Sequence, residues 1–229
     1  MRWLIVNGDD LGASRGINRG ILEAHQDGIL TSASLLVDRP SSEEAAAHAR
    51  CSPGLSLGLH LELDPNQPEG LRDQLAAQLE RFFQLAGAAP THVDSHHDTH
   101  RDPSVLARVL AWAEQVGFPL RGYSPVRHVG RFYGRWGGRS HPEQIGVEGF
   151  LRLLDAEVGE GATELSCHPG YAQPPGVRST YTAEREVELR TLCDARVRRG
   201  VDERQIRLIG FRDLPQVAGQ AAAAGGEAR

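Results

Sequence analysis

Short apolar runs alternate with segments of helical period along the whole chain. Residues 3–7 read as a buried strand, and Ile17, Ile21 and Leu22 fall on one face of the helix that follows. Residues 32–37 form a second strand, after which Ser41 or Ser42 is placed to cap a helix through residue 50. A third strand at 55–63 precedes a helix around 71–85, and a short fourth at 91–94 precedes one from about 103 to 115. Residues 119–121 predict a fifth strand. The segment 123–142, rich in glycine, arginine and aromatic side chains, reads as a loop lying over something. A helix near 142–158 then leads to a strand at 163–167, a charged helix over 183–199 and a last strand at 206–211.

Strands that alternate with helices pair in parallel, because each crossover returns the chain to the same end of the sheet. About seven such units in 229 residues, with neither a linker nor an internal repeat, predict one α/β domain closed into a compact, irregular barrel. Alanine and glycine dominate the last residues, which predicts a frayed end.

Composition narrows the function. The formal charge is −5 with a pI near 6.1, which argues against a nucleic-acid partner. All 25 basic residues are arginine, so Schiff-base chemistry and a P-loop, which both need a lysine amine, are excluded. Cys51, Cys167 and Cys193 are scattered and form no C-x-x-C pair, so neither a disulfide framework nor a thiolate zinc site is supported. The first apolar run is too short for a signal peptide, and no stretch reaches the ~20 residues of a membrane span. A soluble, cytoplasmic protein with no membrane partner is expected.

The chemistry-bearing residues collect just after predicted strands. Asp9 and Asp10 follow the first, His60 ends the third, residues 94–100 follow the fourth, and His168 follows 165–167. In a parallel α/β fold these strand ends share one face, where active sites are built. Adjacent carboxylates can divide two tasks: one ligates a cation while the other takes a proton, although an Asp pair also suits a solvated helix start. His60 shares a strand face with Glu62, and taken alone it equally fits a satisfied core histidine. Residues 94–100 hold five acidic or histidine positions, a density that metal binding or proton transfer explains better than packing. If that segment is helical, His96 and His100 meet one metal at i, i+4; if extended, Asp94 and His96 share a face. His168 lies in a Pro-Gly turn that does not itself need a histidine. His25, His48, His128 and His141 read as surface or packing residues.

The runs Val6-Asn7-Gly8-Asp9-Asp10-Leu11-Gly12, Gly58-Leu59-His60, Thr91-His92-Val93-Asp94-Ser95-His96-His97-Asp98-Thr99-His100 and Cys167-His168-Pro169-Gly170-Tyr171 together resemble the YdjC-like carbohydrate deacetylases, which include the chitooligosaccharide deacetylases. Residues 181–189 and 206–214 look like that family's penultimate helix and closing strand. The resemblance implies a single-domain distorted (β/α) barrel with mostly parallel strands, expected over residues 1–216, and the composition of the end predicts a flexible C-terminal tail at 217–229. It also implies one divalent metal, magnesium or zinc, on Asp10, His60 and His96, with Asp9 as base and His168 as acid or oxyanion stabiliser. Its implied activity is removal of N-acetyl groups from an amino sugar or oligosaccharide, and its implied assembly a homodimer. Asp98 stands where the family usually has a further histidine, and the stretch between His60 and His92 is short for it. His100, Tyr123 and Trp136 are candidate substrate contacts, and Tyr123, Phe132, Tyr133 and Trp136 of the 123–142 segment suit stacking on sugar faces. Two alternatives keep the same site: a metal-dependent phosphoesterase using Arg127, Arg131, Arg135 and Arg139 as a clamp, and a non-catalytic sugar-binding protein.

Overall fold

The computed structural model describes residues 1–171 and 180–216. The tail expected at 217–229 lies outside them. Strand β1 (Arg2–Leu11) is the centre of the molecule, with nine of its ten residues buried. It is followed by α1 (Arg15–Gln26), β2 (Ser32–Leu35), α2 (Ser42–Arg50), β3 (Ser56–Leu61), α3 (Leu71–Ala86), β4 (Val93–Ser95) and α4 (Leu106–Val116). The second half adds β5 (Arg127–Val129), a hairpin of β6 (Arg135–Trp136) and β7 (Arg139–Ser140), α5 (Pro142–Ile145), α6 (Val147–Glu157), β8 (Gly161–Cys167), α7 (Ala183–Leu192), α8 (Ala195–Glu203) and β9 (Ile206–Leu208).

The main sheet runs β4-β3-β2-β1-β8-β5, with β9 also on β1, and every pairing within it is parallel. It curls into a half-barrel with helices packed around it, the distorted barrel that the sequence predicts. Residues 119–121 are not a full strand. They contribute one bridge, Leu120 to Val93 on β4, before the chain reaches β5 on β8. Residues 120–129 thereby span the gap between the two edges of the sheet. The segment 123–142 is likewise more ordered than a loop, since it carries β5 and the hairpin. The helix expected at 142–158 is two, α5 and α6, separated by Gly146 in extended conformation.

Packing locates the helices against the sheet. Ser14 caps α1 through its hydroxyl, and Ile17, Ile21 and Ala24 on one face of that helix are buried in the main apolar cluster. Gly20 on α1 meets the turn after β8 backbone to backbone: a Cβ there would lie 2.4 Å from the Cα of Gly170. This contact fixes the turn that carries His168. No described helix is long and apolar enough to cross a membrane.

Candidate active site

A regular strand sends consecutive side chains to opposite faces, so Asp9 and Asp10 would diverge. The pairing of β1 with β2 instead shifts register between Gly8 and Leu11, and Asp10 has φ of 69°. This bulge re-aims the second carboxylate, and both line the same cavity of about 830 Å³ at the carboxyl ends of the strands. His60 from β3, His96 from the turn after β4, and Ser166 and His168 from the end of β8 line it as well.

The two aspartates have different partners. Asp9 receives two hydrogen bonds of 2.7 Å from the Arg121 guanidinium and one of 2.8 Å from the Asn7 amide. Burial pushes its pKa up, but Arg121 outweighs burial and holds it below the ordinary carboxylate value. Asp10 accepts a 2.6 Å bond from Arg185 at Oδ2 and turns Oδ1 toward two imidazoles, with His96 Nδ1 at 2.9 Å and His60 Nε2 at 3.4 Å. That Oδ1 is buried and makes no hydrogen bond among the described residues. Against burial, the two histidines and Arg185 hold Asp10 well below the usual range.

His60 is oriented from behind. Its Nδ1 lies 2.7 Å from Asp94, which also accepts 2.6 Å from the Ser34 hydroxyl and 2.7 Å from Arg121. Burial disfavours the imidazolium, yet Asp94, Asp10 and Asp9 raise His60 to about 10. A carboxylate behind a histidine fixes its tautomer and ring direction, the usual support of a metal-ligating imidazole. Two triplets of ligand atoms lie within 4.8 Å of one another, Asp10–His60–His96 and Asp9–His60–Asp94. In the second, both carboxylates are already neutralised by Arg121. The first faces the cavity with an unbonded oxygen, and its one carboxylate and two imidazoles form a donor set that fits a divalent metal.

His168 closes the site. Its Nε2 lies 3.9 Å from Asp9 Oδ2, and its Nδ1 is buried with no hydrogen-bond partner among the described residues. Its backbone N–H donates to the buried carboxylate of Glu188, which also accepts from the Tyr181 hydroxyl, and its carbonyl accepts from Arg185. Burial lowers the His168 pKa against the pull of Asp9 and Asp10.

The structure does not bring His100, Tyr123 or Trp136 into this cavity. His97 and Asp98 take left-handed backbone, at φ of 56° and 53°, so the chain after β4 is neither a continuous helix nor a strand. His96 turns toward Asp10, while His100 is sealed in the core, with Nδ1 2.7 Å from the Ser95 hydroxyl and Nε2 3.2 Å from the Arg121 carbonyl. Trp136 stacks on His141 at 3.7 Å in the exposed hairpin. Tyr123 is exposed, edge-on to His100. The aromatic residue of that region which does line the cavity is Tyr133, stacked on Tyr181 at 4.5 Å and edge-on to His168. None of Arg127, Arg131, Arg135 and Arg139 lines it, and the first three pair with Glu157 or Glu184. Arg121 and Glu164 escape motif reading, because a lone charged residue in a short strand-like run carries no spacing signal, whereas Glu188 falls in the 181–189 segment that the family resemblance covers.

Comparison with known proteins places this architecture. The family model described as YdjC-like protein matches residues 3–73 and 64–203. This chain belongs to the YdjC-like family. It is 35% identical to a carbohydrate deacetylase of Geobacillus stearothermophilus, an alignment covering 93% of this chain and 98% of that protein. It is 32% identical to a chitooligosaccharide deacetylase of Klebsiella pneumoniae, over 93% and 99%. Among solved structures, a protein of Enterococcus faecalis superposes with a TM-score of 0.81 at 26% identity, over 93% of this YdjC-like chain and 98% of that one. A family 4 acetyl xylan esterase from Clostridium thermocellum, solved with a cobalt ion, shares the fold at a TM-score of 0.57 and 14% identity, over 95% and 92%.

Proposed function

We propose that this protein is a metal-dependent carbohydrate deacetylase that hydrolyses the N-acetyl group of an amino sugar or oligosaccharide. The observation that carries the reading is the division of labour between adjacent carboxylates. Asp10 presents an unbonded oxygen to two imidazoles, while Asp9 is kept ionised by Arg121 beside His168. The names of the two curated relatives supply the substrate class. When bound, a divalent ion on Asp10, His60 and His96 polarises the acetyl carbonyl and makes water a better nucleophile at neutral pH. One carboxylate with two imidazoles favours zinc, cobalt or nickel over magnesium, which prefers oxygen ligands.

The residues of this chain then move one proton. Both Asp9 oxygens are held by Arg121, and Oδ1 is also bound by Asn7, which leaves the remaining lone pair of Oδ2 for the water proton. His168, neutral at rest because its pKa is lowered, sits on that same oxygen's side and passes the proton to the departing nitrogen. The C–N bond breaks to acetate and free amine. Among the described residues, the arginines that reach the cavity are Arg39, Arg121 and Arg185, and each is paired with a carboxylate rather than held in reserve as a phosphate clamp. The test is acetate release from a panel of N-acetylated saccharides by protein stripped of metal and reloaded with one metal at a time. Activity restored by a divalent ion supports the reading; release that is indifferent to chelation contradicts it.

A further inference from the structure

A serine and a histidine on the cavity wall stand at the separation of a nucleophile and its base. His128 Nε2 lies 3.1 Å from Ser166 Oγ, and both residues line the cavity. In a nucleophilic dyad that nitrogen accepts the hydroxyl proton, so the other nitrogen must carry a hydrogen and point it at an acceptor. Here the other nitrogen faces a cation instead. Arg101 Nη2 lies 2.9 Å from His128 Nδ1, and a guanidinium has donors but no acceptor. Nδ1 is therefore the lone-pair nitrogen, Nε2 bears the hydrogen, and it donates to Ser166 Oγ. Burial and the nearby Arg121 and Arg101, opposed by Asp98, push His128 down to about 4, which keeps it neutral.

The guanidinium is seated by the backbone. Gly122 has φ of 74°, and a Cβ there would lie 2.7 Å from Arg101 Nη2. Asp98 holds the other side at 3.6 Å. With Oγ accepting from His128, the hydroxyl hydrogen of Ser166 has no acceptor among the described residues, although the residue is only 6% exposed. Strand alternation puts Ser166 on the same face of β8 as His168, so that hydrogen is available to whatever fills the cavity.

We infer that Arg101, His128 and Ser166 form a one-way hydrogen-bond chain that presents the Ser166 hydroxyl as a donor to an oxygen of the saccharide in the cavity. Ser166 is thus a specificity contact, and Arg101 and His128 are its positioning residues. This rests on the saccharide reading of the site. A fixed donor favours ligands with an oxygen at that point and disfavours analogues that lack it, because the donor would then be left unpaired.

Two measurements test it. Side-chain ¹⁵N–¹H correlation spectra of the metal-free wild-type protein between pH 6 and 8 are expected to show His128 as the Nε2–H tautomer; the Nδ1–H tautomer overturns the chain's direction. For a saccharide that releases acetate, Ser166→Ala is expected to raise KM about tenfold with kcat kept within about threefold, and Ser166→Thr to keep the wild-type KM. An unchanged KM in Ser166→Ala, a collapse of kcat alone, or covalent capture of Ser166 by a fluorophosphonate overturns the donor role. If no saccharide is deacetylated, the deacetylase reading fails while the tautomer spectrum still decides the chain.

Discussion

Arg121 and Asp9, 112 residues apart in sequence, meet through two parallel N–H···O bonds of 2.7 Å in the buried centre of the site. The same guanidinium reaches Asp94 at 2.7 Å and Glu164 at 2.7 Å, so one cation serves three buried carboxylates. Arg121→Met leaves them without a counter-charge and is expected to destabilise the fold by about 3–5 kcal/mol, the scale for breaking a buried ion pair. Glu164→Gln should cost much less. Burial already lifts Glu164 to about 7 against the pull of Arg121, so it holds its charge weakly. Denaturant unfolding of the two variants checks the ranking, and equal losses would contradict it.

A second expectation concerns acid. His92 is fully buried, stacked on Phe211 at 3.8 Å and bonded to Thr91 and Ser34. Burial outweighs the pull of Asp94 and lowers its pKa from 6.5 to about 4. Between those values the unfolded chain binds more protons than the folded one, so stability contributed above pH 6.5 is lost as pH falls toward 4. Going from pH 7 to pH 5 is expected to remove about 2 kcal/mol through this group. His92→Phe, which can keep the stack, should flatten that part of the slope relative to wild type. Identical slopes, with His92 titrating near 6.5 by NMR, would refute the assignment.

The third concerns the aromatic wall of the cavity. Tyr133 lines the cavity with one face covered by Tyr181, whereas Trp136 is engaged with His141 outside it. Tyr133→Ala is expected to raise KM for an oligosaccharide several-fold, the scale of about 1 kcal/mol for one aromatic contact. Trp136→Ala should leave KM unchanged. Steady-state kinetics of the pair decide it, and the opposite pattern would move the subsite to the hairpin.

What the sequence discloses follows from where local pattern and long-range geometry agree. The parallel barrel was legible because apolar runs and helical periods alternate. Asp9, Asp10, His60, His96 and His168 were legible as polar residues at the carboxyl ends of strands, although Asp9, Asp10 and His60 belong to β1 and β3 themselves rather than following them. The bulge that turns Asp9 and Asp10 to one cavity was not, since a register shift depends on the neighbouring strand. His96 and His100 were equivalent in spacing until the left-handed His97 and Asp98 separated them. Arg121 was invisible because it follows a single bridging residue between the sheet edges, where only the closed fold reveals its carboxylates. His128 reads in sequence as a surface or packing residue, and the neighbours that define it, Arg101 and Ser166, are 27 and 38 positions away.

The most direct test is metal content measured beside turnover in Asp9→Asn and Asp10→Asn. Asp10→Asn should lose the metal, because an amide brings no negative charge to His60 and His96. Asp9→Asn should keep near-full occupancy while kcat falls about 10²–10⁴-fold, the scale for a general base. His168→Ala should follow Asp9→Asn, with metal retained and turnover lost. Loss of metal in Asp9→Asn with retention in Asp10→Asn would reverse the two roles, and full activity of Asp9→Asn on a confirmed substrate would remove the base altogether.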